Sequence, residues 1–494
     1  MWGTGLSDLT RRGVLAGLLA GAAGGAWAEA PLASLRPQPR GVIGGDGGAA
    51  ALVAAAKLGG RLGYCVADAA TGRVLEASGE TAVMPPASVT KGMTALYALE
   101  RLGSGQRFVT RVMYRGRLDA GRLQGDLILA GGGDPELDTD SLADLVAALA
   151  ATGLREVTGQ FIVYTGALPE RAAIAHDQPD YVGYNPSVSG IMLNFNRVNF
   201  VWKQAGAGYD MAMNAEGARF VPPVRMATMA LAERDLPVFA YKAGSAADHW
   251  TVARGALGKA GGRWLPVRHP GIYAGEVFAW LAAGQGIALG PPQLRRDLPP
   301  EAALLVARDG APLPDVLRKM LKFSTNLTAE AVGLAASAAP SQEASAAAMT
   351  AWARDKFGIT GRFGDHSGLG PNTQLSAADM VSVLSQALQD PKGAQLQRLL
   401  RDAGLPDAAG KPQNKSLLRV QAKSGTMNFV SNLAGYVTAA DGKTLVFAIF
   451  AADVARREAV PVAQRDQPKG NKAWVGRAHR LQGQLLHRWA GLYL

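Results

Sequence analysis

Pro85-Pro86-Ala87-Ser88-Val89-Thr90-Lys91-Gly92-Met93-Thr94-Ala95-Leu96-Tyr97-Ala98-Leu99 opens a helix near Ser88 that runs to about Leu102, with Met93, Leu96, Tyr97, Ala98 and Leu99 forming a wide apolar face. Ser88 and Lys91 stand three residues apart, so hydroxyl and amine share one face of that helix. Such an amine takes the serine proton only when it is neutral, and a helix N-terminus together with a second nearby cation lowers its pKa. Lys423 is the candidate for that cation. A two-letter pattern of this kind is expected about once by chance in a chain of this length, so the rest of the sequence has to decide.

Two further patterns do so. Ser324-Thr325-Asn326 opens an expected helix, and Lys423-Ser424-Gly425-Thr426 heads an expected strand; S-x-x-K, S-x-N and K-[ST]-G each occur once, in that order. A serine with a lysine base, a second hydroxyl to relay protons and a cation on a strand to hold a carboxylate make one acyl-transfer site. Gly425 is expected to keep the strand free of a side chain where substrate lies alongside it.

The triple is the signature of penicillin-binding proteins and serine β-lactamases. The long region between the first two motifs makes the chain resemble the low-molecular-mass class C D-alanyl-D-alanine carboxypeptidase/endopeptidase family. Further matches lie at Gly131 to Pro135, Asn185 to Asn196, Asp365 to Leu369 and Ser431 to Tyr436. The resemblance implies Ser88 as acyl-enzyme nucleophile, Lys91 as base, and Ser324 and Asn326 in proton transfer and substrate binding. Lys423, Ser424 and Thr426 would hold the terminal carboxylate, and the backbone N–H groups of Ser88 and Thr426 would form the oxyanion hole. It implies peptidoglycan stem peptides as substrate, β-lactams as covalent inhibitors, and neither metal nor organic cofactor. Asp180 and Tyr184 resemble the acid and aromatic that receive the diamino acid side chain, set one residue closer together. Pro371 replaces an arginine common in the family, and His366 stands where a glycine is usual; His366 is expected to line the cleft.

Around these motifs the expected fold class is α/β (α+β), a serine β-lactamase/DD-peptidase-like domain with an antiparallel sheet flanked by helices. A hairpin from Arg61 to Ala77 and late strands at Phe429 to Val437 and Thr444 to Ala451 close one sheet from both chain ends. Between them, residues 106–268 are expected as an inserted α/β region, dividing the peptidase domain into 29–105 and 269–494. A final helix from Lys472 to Trp489 aligns Trp474, Ala478, Leu481, Leu485 and Trp489 on one face, and is expected to cover the sheet rather than lie on a membrane. The loop from Arg456 to Lys472 reads as solvated.

Composition bounds the partners. The chain of 494 residues is 48% hydrophobic and 18% charged, with 51 Lys+Arg against 40 Asp+Glu, which excludes general disorder. One cysteine, Cys65, excludes an intrachain disulfide framework and reads as a small buried hydrophobe. The six histidines show no H-E-x-x-H spacing, so a metal enzyme is disfavoured. Arg11-Arg12, the apolar run that follows and Ala26-Trp27-Ala28 read as a twin-arginine-type signal peptide over residues 1–28. That run falls short of the roughly 20 apolar residues needed to span a bilayer. Export to the periplasm turns the net charge of +11 toward envelope polymers rather than nucleic acid, and no stable membrane span is expected in the mature chain. Two rivals stand at this point: a serine β-lactamase, disfavoured by the long insertion, and a catalytically silent cell-wall-binding protein, disfavoured by the intact motif residues.

Overall fold

The computed structural model describes residues 48–404 and 418–494; the expected signal peptide lies outside them. One antiparallel sheet runs in the order Arg401–Gly404, Arg419–Met427, Val430–Thr438, Thr444–Ala452, Arg61–Asp68, Val74–Ser78. Arg61–Asp68 pairs with Thr444–Ala452 along its whole length, so an early and a late strand meet inside the sheet as expected. Alternation along Thr444–Ala452 builds two cores from one strand. Val446, Ala448, Phe450 and Ala452 face one helical layer, while Leu445, Phe447, Ile449 and Ala451 face the other.

The second of these layers holds the final helix, Asn471–Tyr493. Trp474, Ala478, Leu481, Leu485 and Trp489 are all buried against the sheet. The two indoles are also satisfied: Trp474 Nε1 donates to Leu58 O at 2.5 Å and Trp489 Nε1 to Glu76 Oε2 at 2.8 Å. This apolar stripe is core. Cys65 is buried in Arg61–Asp68, and burial pushes its thiol up to about 11, an inert small hydrophobe as its alternating strand suggested. Among the described residues no helix is long and apolar enough to cross a membrane.

The first layer contains Thr90–Arg101, Leu313–Phe323, Asn326–Ser337, Gln342–Phe357 and Ala377–Gln389. Gln342–Phe357 was not expected from the sequence, because its Ala-rich run lacks a clean apolar period. Its ends are nonetheless well signalled: Ser341 Oγ accepts from the Ala344 N–H, and Gly358 takes the left-handed cap position at φ 69°.

The inserted region has its own core around Phe161, Phe200, Trp250 and Phe278. It continues past the boundary expected at 268. Helix Pro270–Ala283 packs into that same core, strand Pro292–Arg295 pairs with Phe161–Tyr164, and Ala303–Pro312 pairs with Arg107–Asp119. The chain re-enters the peptidase layer at Leu313, so the strand that leaves at Arg107 and the strand that returns at Pro312 lie side by side. A helical pattern beginning near residue 270 is compatible with either core, and only the packing of Pro270–Ala283 shows which one it joins.

Candidate active site

The turn that carries Ser88 is built by backbone strain and close packing. Ala87–Val89 form a short 3-10 turn leading into Thr90–Arg101, with Ala87 at φ 49°, an uncommon conformation for a residue with a Cβ. Two glycines allow neighbouring chains to press against it. A Cβ on Gly425 would sit 2.5 Å from Pro86 O and 2.9 Å from Ser88 N, and one on Gly368 would sit 1.9 Å from Ala87 O. The missing side chain of Gly425 therefore accommodates the turn that carries Ser88. Gly425→Ala is expected to push strand Arg419–Met427 off the turn and to cut acylation at Ser88 by on the order of 100-fold, the cost of misplacing a reacting group by about 1 Å. Stopped-flow acylation with a chromogenic β-lactam checks it, and a rate within twofold of the parent would refute this account.

Lys91 is fully buried beneath the half-exposed Ser88. Its Nζ lies 2.9 Å from Ser88 Oγ, 2.7 Å from Asn326 Oδ1 and 2.8 Å from Ser367 O. The amide oxygen and the backbone carbonyl can only accept. A neutral amine has two hydrogens and one lone pair, so bonds to those two acceptors leave the lone pair directed at the Ser88 hydroxyl. Burial holds the Lys91 amine well below its usual range, with the Lys423 charge as the second cause; Asp365 and Glu330 oppose both. The cation expected from the sequence is thus the one that acts here.

Ser324 caps helix Leu313–Phe323 in the left-handed conformation, φ 57°. Its hydroxyl meets Lys423 Nζ at 3.0 Å, and the same ammonium donates to Ser424 O at 2.7 Å. Lys423 is buried, and burial first, then Arg401, pulls it down to about 8. Ser424 and Thr426 alternate with Lys423 and Gly425 and are exposed, lining the open edge of the strand. All three motifs converge on one cleft.

The inserted region reaches the same place. Asn326 Nδ2 donates to Tyr184 O at 2.9 Å, and the Tyr184 phenol, partly exposed, donates to Gln178 Oε1 at 3.1 Å. Asp180 is exposed, and its backbone carbonyl accepts from Arg268 Nη2 at 2.8 Å. The loop after Arg456 is largely exposed, as expected, yet two of its arginines anchor it. Arg457 Nη2 and Arg465 Nη1 lie 3.1 and 3.2 Å from Asp177 Oδ2, and Asn428 Nδ2 donates to Arg465 O at 2.6 Å. His366 does not line the cleft either. It is fully buried over Gly333, its Nε2 2.7 Å from Ser345 Oγ, and burial drops it to about 3, so the ring stays neutral.

Sequence reading missed Glu330 and gave Asp365 no role, although both are buried next to Lys91. The signal was available for Glu330, an acid in the otherwise apolar helix one turn after Asn326.

A family model described as D-Ala-D-Ala carboxypeptidase 3 (S13) matches residues 49–473. The chain belongs to the S13 peptidase family. It is a serine-type peptidase, a low-molecular-mass class C member as its motif spacing implied. This S13 chain is 25% identical over 387 residues to the D-alanyl-D-alanine carboxypeptidase DacB of Haemophilus influenzae, covering 74% of this chain and 80% of that protein. It is 27% identical over 424 residues to a D-alanyl-D-alanine carboxypeptidase of an Actinomadura species, covering 78% and 77%. The crystal structure of penicillin binding protein 4 from Haemophilus influenzae superposes with a TM-score of 0.73 at 21% identity, over 89% of this chain and 99% of that one, and so shares its fold.

Proposed function

We propose that this S13 peptidase is an exported D-alanyl-D-alanine carboxypeptidase, with endopeptidase action on stem-peptide crosslinks, that works through an acyl-enzyme on Ser88. The observation that carries this reading is the arrangement of Lys91, whose two obligate acceptors leave its lone pair on the Ser88 hydroxyl. Lys91 takes the proton as the Ser88 oxygen bonds to the D-Ala carbonyl carbon, and the proton passes to the departing amine by way of Ser324. The N–H groups of Ser88 and Thr426 receive the oxyanion. Lys423, Ser424 and Thr426 hold the terminal carboxylate, and Ser324 bonded to Lys423 links the two halves of the site.

A related structure holds a β-lactam in penicillin binding protein 4, and its likeness supports β-lactams as acylating inhibitors of Ser88 here. Asp180 and Tyr184 receive the diamino acid side chain of the stem; the contact between Asn326 and Tyr184 supports that placement. The peptidase domain is split by the inserted region, and the twin-arginine-type signal delivers it to the periplasm. The test is muropeptide analysis after incubating defined stem-peptide fragments with the purified chain. Release of terminal D-Ala or split crosslinks is expected. Intact fragments would refute the reading, and rapid β-lactam turnover without either would point to a β-lactamase.

A further inference from the structure

Lys91 is aimed by a carbonyl whose own position is fixed from beneath. Glu330 is fully buried; its Oε1 accepts the Ser367 N–H at 2.9 Å, and both of its oxygens lie 3.2 Å from the backbone nitrogen of His366. Gln342 Nε2 donates to its Oε2 at 3.3 Å. Asp365, also buried, accepts the N–H groups of Gly368 at 2.7 Å and Gly370 at 2.6 Å and the Thr373 hydroxyl at 3.0 Å. Residues 365–370 are thereby held from both ends, and Ser367 O is presented to Lys91 Nζ at 2.8 Å.

Neutral amides could accept these hydrogens at much lower desolvation cost than two buried acids. The choice of carboxyl groups therefore calls for a positive charge nearby. His366 is neutral, and the one cationic partner that acts on both acids is Lys91 in its protonated form. Lys91 becomes a cation when it takes the Ser88 proton.

We propose that Glu330, paired with Asp365, is a positioning residue for the base: it fixes the Ser367 carbonyl that orients Lys91 and supplies negative charge that stabilises the ammonium formed during acylation. The inference rests on the Ser88–Lys91 reading above. The proton balance is complete within the site: the Ser88 O–H bond breaks, a Lys91 N–H bond forms, and that proton leaves with the amine. Burial pushes both acids upward, Glu330 to about 8 with the Asp365 charge as its second cause, while the N–H groups they accept and Lys91 pull them back toward the charged form, and both in turn favour the protonated form of Lys91.

The test is the pH profile of Ser88 acylation by a chromogenic β-lactam, with Glu330→Gln beside the parent. Removing the charge while keeping an acceptor lowers the Lys91 pKa further, so the acid limb is expected to move down by about one pH unit and the plateau rate to fall about tenfold. Glu330→Asp, which retains the charge, is expected to leave the limb in place. A parent enzyme with an acid limb and a Glu330→Gln variant with the same limb and a rate within twofold would overturn the positioning role alone. A parent chain that forms no Ser88 adduct would overturn the catalytic reading and this inference together. If Glu330→Gln melts before assay, Asp365→Asn removes charge from the other side of the pair; an unmoved limb there overturns the proposal equally.

Discussion

Ser88→Ala is expected to give a folded protein that a penicillin no longer labels, read by intact-mass spectrometry of parent and variant after incubation with the drug. The hydroxyl is only half-buried, and Lys91 keeps its bonds to Asn326 Oδ1 and Ser367 O without it. The stability cost is therefore that of one hydrogen bond, about 1 kcal/mol. Acylation, in contrast, loses the atom that forms the bond, and a fall on the order of 10⁴-fold or more is expected. The two effects differ enough that an unlabelled but cooperatively melting variant identifies a nucleophile rather than a damaged fold. Persisting adduct on the variant would remove Ser88 from that role. The same experiment on Ser324→Ala separates the two hydroxyls: slower labelling, not absent labelling, is what a proton relay gives.

The parts of the site written in short contiguous motifs were legible in the sequence, because each needs only local geometry. Ser88 and Lys91 share a face through helix periodicity, and Lys423 and Gly425 share one through strand alternation. The hairpin from Arg61 and the late strands were legible for the same reason. What long-range packing decides was not. Glu330 stands out as an acid among apolar residues of its own helix, but its partners, the backbone N–H groups of His366 and Ser367, are brought to it by packing that residues 326–337 do not encode. His366 looked like a cleft residue because it adjoins Ser367, yet Gly333 leaves just the space into which its ring turns. Charge density made the segment after Arg456 look solvated, and most of it is exposed, but Asp177, far away in sequence, pairs with Arg457 and Arg465 and anchors it. Asp177 thus ties that segment to the residues that bring Tyr184 against Asn326, and the insertion acts as a wall of the cleft as well as a separate core.

Lys423 is expected to give the site a pH limit on its alkaline side. Burial pulls this amine down to about 8 in the free protein, and anchoring a carboxylate requires the charged form. For a substrate with a free terminal carboxylate, kcat/KM is expected to fall about tenfold per unit above pH 8, while an amidated analogue, which gains little from the charge, shows no such limb. Stability moves in the opposite direction. Between about 8 and the ordinary 10.5 the unfolded chain binds the proton that the folded chain has lost, so this group makes the fold more stable as pH rises. A falling alkaline limb therefore cannot be unfolding caused by Lys423, and a thermal melt across the same range separates the two. Lys423→Ala is expected to lower kcat/KM on the carboxylate substrate about 10- to 100-fold, the value of a charge-assisted hydrogen bond, and to abolish the limb in what activity remains. Because Lys423 also bonds Ser324 Oγ and is the second cause of the depressed Lys91 pKa, its removal lets the Lys91 pKa rise, and the acid limb moves to higher pH for both substrates. One variant thus shifts two limbs, the alkaline one only where a carboxylate is bound and the acid one regardless of substrate. Equal alkaline limbs on the carboxylate and amidated substrates would refute the anchor, and an unmoved acid limb would refute the coupling between the two lysines.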